Sequence, residues 1–171
     1  MAEKNLIWAQ TLDGTIALNG QVPWHQKADL HFFKQATIHE MALMGRNTMK
    51  SLHGRPLPNR LNVVLTHDEK LVVPEGFQKV YSAKEAEQLA DSQGLKLQVI
   101  GGKAIYDSFL AIADTLYVTY LQTDFSGDVK MPSVDQTVWQ SEIIDEGPAD
   151  DDNDYAWRLV KYTRFKTKKI H

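Results

Sequence analysis

Short apolar runs rich in β-branched residues alternate along the chain with stretches whose apolar positions recur every three or four residues. The first pattern is that of strands in a buried sheet, and the second that of helices lying against one. Strands are predicted near Asn5–Gln10, Glu40–Met44, Leu61–Thr66, Lys79–Tyr81, Leu97–Ile100, Thr115–Gln122, Trp139–Asp145 and Tyr155–Phe165. Helices are predicted near Lys27–Thr37, Arg46–Leu52, Ala83–Gln93 and Lys103–Ile112. Strand–helix alternation through the first two-thirds implies parallel pairing with helical crossovers. No helical pattern separates the last two strands, so they should form an antiparallel hairpin at one edge. There is no internal repeat, low-complexity stretch or interdomain linker, and residues 1–171 read as a single α/β domain.

Composition narrows the function classes. With 171 residues, 43% hydrophobic and 24% charged, the chain can bury a real core. A net charge of -3 argues against nucleic acid, whose binders usually carry a basic stripe. Lys166, Lys168 and Lys169 are read as a short solvated tail. Cysteine is absent, which removes disulfides and thiolate chemistry. The apolar run after Met-Ala-Glu-Lys is too short for a signal peptide or membrane span, so a soluble cytoplasmic protein is expected. No metal site is expected, because the six histidines form no helical H-x-x-x-H pair. The acidic loop Asp150–Asp154 begins like a calcium loop, but Tyr155 stands where the sharp-turn glycine belongs. A solvated hairpin turn is the expectation there.

Three places carry candidate chemistry. The stretch "V-P-W-H-Q-K-A-D-L-H-F-F-K" puts Asp29 in the first turn of a helix, on one face with Phe33 and beside Leu30. A carboxylate there is favoured by the helix macrodipole alone; it also suits a ligand-binding carboxylate among apolar walls. Next, "M-G-R-N-T" and "V-I-G-G-K-A-I-Y" each run from a strand through glycine into a helix, at Gly45 and at Gly101–Gly102. Either is commonly only a tight turn. Two such sites in one small parallel sheet make a diphosphate credible, because helix N-termini present free N–H groups and a positive end. Finally, Thr66 and His67 end a strand where they could meet Arg46, a set that suits a 2′-phosphate and so favours NADPH over NADH.

These stretches, with "D-G-T-I-A-L-N-G-Q-V-P-W", "G-R-P-L-P-N-R-L-N-V-V-L-T", "L-I-W-A-Q", "L-Y-V-T" and "F-S-G-D", stand in order along nearly the whole chain. The chain resembles a bacterial dihydrofolate reductase. The resemblance implies a central eight-stranded, mostly parallel sheet with four flanking helices, and reduction of 7,8-dihydrofolate by NADPH. It matches Asp29 to the carboxylate that holds the pterin, with Thr119 behind it and Trp24 holding a nearby water. Ile7, Ala9, Leu30, Phe33 and Ile100 match the pterin pocket, Leu57 a wall for the p-aminobenzoyl ring, and Arg60 the partner of the glutamate carboxylate. Arg46, Leu65, Thr66 and His67 fall at the 2′-phosphate end of the cofactor site. Gly45, Asn47, Thr48, Gly101, Gly102, Lys103, Ala104, Ile105 and Tyr106 match its diphosphate and ribose contacts. Ile16, Ala17, Asn19 and Gly20 belong to a loop that closes over nicotinamide beside Ala9, propped by Gly127–Asp128. Ala17 departs from the family's usual glycine, Lys27 from a common proline, and His53 looks like a one-residue insertion.

The resemblance further implies a monomer open to antifolate inhibitors, with small molecules as its only partners. Two other functions stay in view: a same-fold reductase of a riboflavin-pathway pyrimidine, and a catalytically silent NADPH-binding module.

Overall fold

The computed structural model describes residues 1–166, so Lys168 and Lys169 lie outside the described residues. Eight strands join in one sheet: β1 (Lys4–Gln10), β3 (Met41–Met44), β4 (Leu61–Leu65), β5 (Phe77–Val80), β6 (Leu97–Gly101), β7 (Thr115–Leu121), β9 (Trp139–Gly147) and β10 (Trp157–Arg164). Their order is β5-β4-β3-β6-β1-β7-β10-β9. Pairings from β5 across to β7 are parallel, and β10 runs antiparallel to both β7 and β9. The expected terminal hairpin therefore closes one edge of a mostly parallel sheet. Four helices flank it: α1 (Lys27–Thr37), α2 (Arg46–Ser51), α3 (Ala83–Gln93) and α4 (Lys103–Phe109). Two short strands, β2 (Thr15–Ala17) and β8 (Val129–Lys130), pair in a separate antiparallel ribbon. At three and two residues they are too short to show alternation, and they were not foreseen.

Successive side chains of each strand face opposite sides, so the sheet has two packed faces. Leu6, Trp8, Met41, Leu43, Val63, Leu116 and Val118 pack with Ala86 and Ala90 of α3 and Phe109 of α4. The opposite face gathers Ala42, Met44, Val64 and Phe77 with Met49 of α2. Ile7, Ala9 and Thr119 also point to this second side, by alternation from Leu6, Trp8 and Val118. There α1 lies across the sheet, tied by the Gln98 Nε2 bond to Ala36 O (2.9 Å). Helix α4 stops at Phe109, three residues before the predicted end, as the chain turns towards β7.

Candidate active site

The carboxylate at the start of α1 is set in place by a distant loop. Gln26, the N-cap, makes no side-chain capping bond. Instead Lys27 N donates to Asp152 O (2.9 Å), and Ala28 N donates to Asn153 Oδ1 (3.0 Å). His25 N donates to Asp154 Oδ2 (2.7 Å), while the Gln26 amide accepts from Tyr155 N (2.7 Å) and donates to Tyr155 O (3.1 Å). The acidic loop is thus more than the solvated turn expected of it. Free N–H groups and the positive end of the helix draw its oxygens in, and Asn153 is buried.

From this seat Asp29 faces β7, where Thr119 Oγ1 donates to Asp29 Oδ1 (3.1 Å). Burial raises the Asp29 carboxyl from 3.8 to about 6, the Thr119 bond opposing the rise. The residue is only partly exposed. Ala9 and Thr119 are register partners on β1 and β7, which puts both beside Asp29. Ile7 and Thr119 are buried, Ala9, Phe33 and Ile100 partly so, and Leu30 is 60% exposed. The Trp24 Nε1–H is buried without a partner among the described residues. Tyr106 of α4 donates its hydroxyl to Ile7 O (2.7 Å), linking α4 to β1. Burial pushes that phenol up, and the Asp29 charge adds to the rise. Leu57 and Arg60 come from the turn before β4. Arg60 Nε donates to Pro58 O (3.0 Å), and desolvation lowers the guanidinium.

A second constellation stands at the ends of β3 and β6. These strands are neighbours with Met44 opposite Gly101, and Gly45 N donates to Gly101 O (2.8 Å). Helices α2 and α4 therefore start side by side, and neither Gly45 nor Gly102 caps its helix with a side chain. A Cβ on Gly45 would lie 2.8 Å from Ile105 Cγ1, so glycine lets α4 approach. One on Gly102 would meet nothing within 4 Å, so the backbone there opens onto free space. That pair of uncapped ends fits an anionic diphosphate. On the far side of β3, Thr66 and His67 follow β4, while Arg46 and Asn47 stand exposed at the start of α2 and Thr48 is half-buried. Asp68 Oδ1 accepts from Lys70 N (2.9 Å), which occupies the acid in its own turn. Lys103 pairs with Asp107 (2.6 Å), and Ala104 is exposed. Leu65 is buried in the main core with Val63 and Val80.

The segment before α1 folds back as the β2 ribbon. Leu18 and Gln21 exchange backbone bonds (2.9 and 3.0 Å) around an Asn19–Gly20 turn whose residues both have positive φ, as a two-residue hairpin turn requires. Ala17 is not among the positive-φ residues, so it meets the loop's geometry without glycine. The prop is in place: Asn19 N donates to Asp128 Oδ2 (3.1 Å), Asp128 N to Ala17 O (3.2 Å) and Gly127 N to Thr15 Oγ1 (3.1 Å). A Cβ on Gly127 would collide with Ala17 O. Asp13 pins the base of the ribbon, accepting from Thr15 Oγ1 (2.6 Å) and Thr11 Oγ1 (2.7 Å) and pairing with Lys130 Nζ (2.9 Å). Bonds from Thr15, Thr11 and Lys130 hold its carboxyl well below the usual range. Sequence reasoning missed the Asp13–Lys130 pair and the Asp152–Tyr155 seat, since each joins residues more than a hundred apart.

Residues 4–164 match the family model described as dihydrofolate reductase. A dihydrofolate reductase of Haemophilus influenzae is 36% identical over 160 residues, covering 94% of this chain and 98% of that protein. One from Bacillus subtilis is 32% identical, covering 96% of each. Among solved structures, dihydrofolate reductase from Enterococcus faecalis complexed with NADP(H) and RAB-propyl superposes with a TM-score of 0.86. It shares 35% identity and covers 96% of this chain and 97% of its own.

Proposed function

The chain belongs to the dihydrofolate reductase family, and from that membership we infer that it reduces 7,8-dihydrofolate to 5,6,7,8-tetrahydrofolate with NADPH. The observation that carries the reading is the Asp29 carboxylate, bonded to Thr119 on the sheet face that also presents Ile7 and Ala9. A pterin offers a 2-amino group and an N3–H on one edge, and a carboxylate can accept from both. Apolar neighbours exclude water and strengthen those bonds. NADPH held at the paired starts of α2 and α4, by Gly45 and Gly102, would supply the hydride for C6 of the pterin. Asp29 holds the ring in position for that transfer, and the buried Trp24 N–H can fix a water near the carboxylate from which N5 takes its proton. Thr119 orients Asp29.

Arg60 is assigned to the substrate's glutamate carboxylate, and Leu57, Leu30, Phe33 and Ile100 to the walls. The paired starts of α2 and α4 are assigned to the cofactor diphosphate, and Arg46, Thr66 and His67 to its 2′-phosphate. The β2 ribbon, from Ile16 to Gly20, covers the nicotinamide end. No described helix is long and apolar enough to cross a membrane. A single-domain cytoplasmic monomer goes with this function: the edge strand β9 carries Glu142, Asp145 and Glu146, charges that discourage pairing with another sheet. The test is loss of nicotinamide absorbance when protein, NADPH and dihydrofolate are mixed. No loss, with NADPH still bound, would leave a silent binding module, and turnover of a riboflavin-pathway pyrimidine alone would mean a different reductase.

A further inference from the structure

We propose that Asn62 is a positioning residue that shapes the Leu57–Arg60 turn into a grip for the glutamate-bearing tail of the substrate. The proposal rests on the assignment of Leu57 and Arg60 to that tail. Asn62 is the second residue of β4 and is 2% exposed. The amide makes three bonds back into the turn. Oδ1 accepts from Leu57 N (2.9 Å), and Nδ2 donates to Leu57 O (2.9 Å) and to Arg60 O (3.1 Å). One side chain thus satisfies both backbone groups of Leu57, as a strand partner would, and ties in the residue that carries the guanidinium.

The turn cannot hold this shape from its own backbone. Pro56 and Pro58 have no N–H to donate, and Asn59 takes a left-handed φ of 59°. The other ties come from outside it: His39 N donates to Asn59 O (2.8 Å), and Leu61 N to Glu40 O (3.0 Å). Arg60 spends Nε on Pro58 O, so the direction of its guanidinium follows the backbone path that Asn62 fixes. A turn ordered before the ligand arrives loses less entropy on binding. Asn62 touches no substrate; it acts through Leu57 and Arg60.

The test compares dihydrofolate with a dihydropterin that lacks the p-aminobenzoylglutamate tail, in wild type, Asn62→Ala, Arg60→Ala and the double variant. Asn62→Ala should raise the KM for dihydrofolate roughly tenfold, the scale of one or two lost hydrogen bonds. Affinity for NADPH and for the tailless ligand should stay near wild type. In the Arg60→Ala background the same change should cost much less, because the two residues serve one contact. Equal losses for both ligands, or fully additive losses, would make Asn62 a stability residue and overturn the proposal. Arg60→Ala that weakens both ligands alike would instead overturn the tail assignment, and the positioning role with it. If Asn62→Ala does not fold, Asn62→Asp decides on the same readouts. It keeps the side-chain volume and the Leu57 N–H bond while replacing the NH2 group that makes both donated bonds with an acceptor oxygen.

Discussion

Asp29 carries a cost that the proposed pterin contact explains. It binds its proton more tightly in the folded chain than in the unfolded one, where 3.8 is the ordinary value against about 6 when buried. Ionising it therefore destabilises the fold. Stability should fall as pH rises from about 4 to about 6 and stay lowered above that. Asn in its place can still accept from Thr119 and has no charge to desolvate. At about pH 7 Asp29→Asn should then be more stable than wild type, by up to about 3 kcal/mol, with the gap closing below about pH 4. Urea unfolding of the free protein across this range reads it directly, and a gap independent of pH would count against burial as the cause. The same variant should lose at least ~10²-fold in hydride transfer, since an amide cannot replace the charge opposite the pterin. Arg46 makes a second residue-scale case. Hydrogen bonds to charged groups are worth about 1.5–3 kcal/mol, so Arg46→Ala should weaken NADPH roughly ten- to hundredfold and scarcely affect NADH. Equal losses in a titration with both cofactors would remove Arg46 from the 2′-phosphate. The helix-start positions of Asp29 and Arg46 were legible in the sequence, from the apolar spacing after one and the strand–glycine–helix run before the other. Asn62 was not, since an asparagine in a strand shows nothing of the backbone it ties.

Helix α1 shows what periodicity can and cannot reveal about an element. Its span, Lys27–Thr37, follows from its apolar spacing, and the structure places both ends there. Its cap does not follow, because the N-cap residue Gln26 makes no side-chain capping bond and the oxygen that caps Ala28 N–H belongs to Asn153, 125 residues further on. An N-cap amide is worth about 0.5–2 kcal/mol. Asn153→Ala should cost about that much stability and weaken dihydrofolate, because Ala28 N–H is capped directly beside Asp29. NADPH affinity should hold. Asp151→Ala, at an exposed neighbour, serves as the control and should change neither. Loss of NADPH affinity in Asn153→Ala would mean that the loop supports the whole sheet rather than the helix start. The β2 ribbon was legible only as a stretch of chain, and its pairing with β8 emerged from partners that no local pattern links.

In the whole molecule, alternating strands and helices made the parallel sheet and its terminal hairpin legible. Strand order was harder to see, because it depends on which crossovers pack together rather than on any run of residues. That order puts β1, the first strand made, between β6 and β7, which end at Gly101 and Leu121. A ribosome adds about 5–20 residues per second, so β1 waits on the order of ten seconds for its second neighbour. Until then at least one of its backbone edges lacks its final partner, and before β6 is made both do, the condition in which strands meet wrong ones. The central strand, which carries Ile7 and Ala9, therefore makes the protein's birth slower and more hazardous than its size suggests. Ribosome-bound chains stalled before β7 emerges should be digested by protease, and resistance should appear only at greater lengths. Protection at the shorter length would show that β1 is sheltered by something other than its native neighbours.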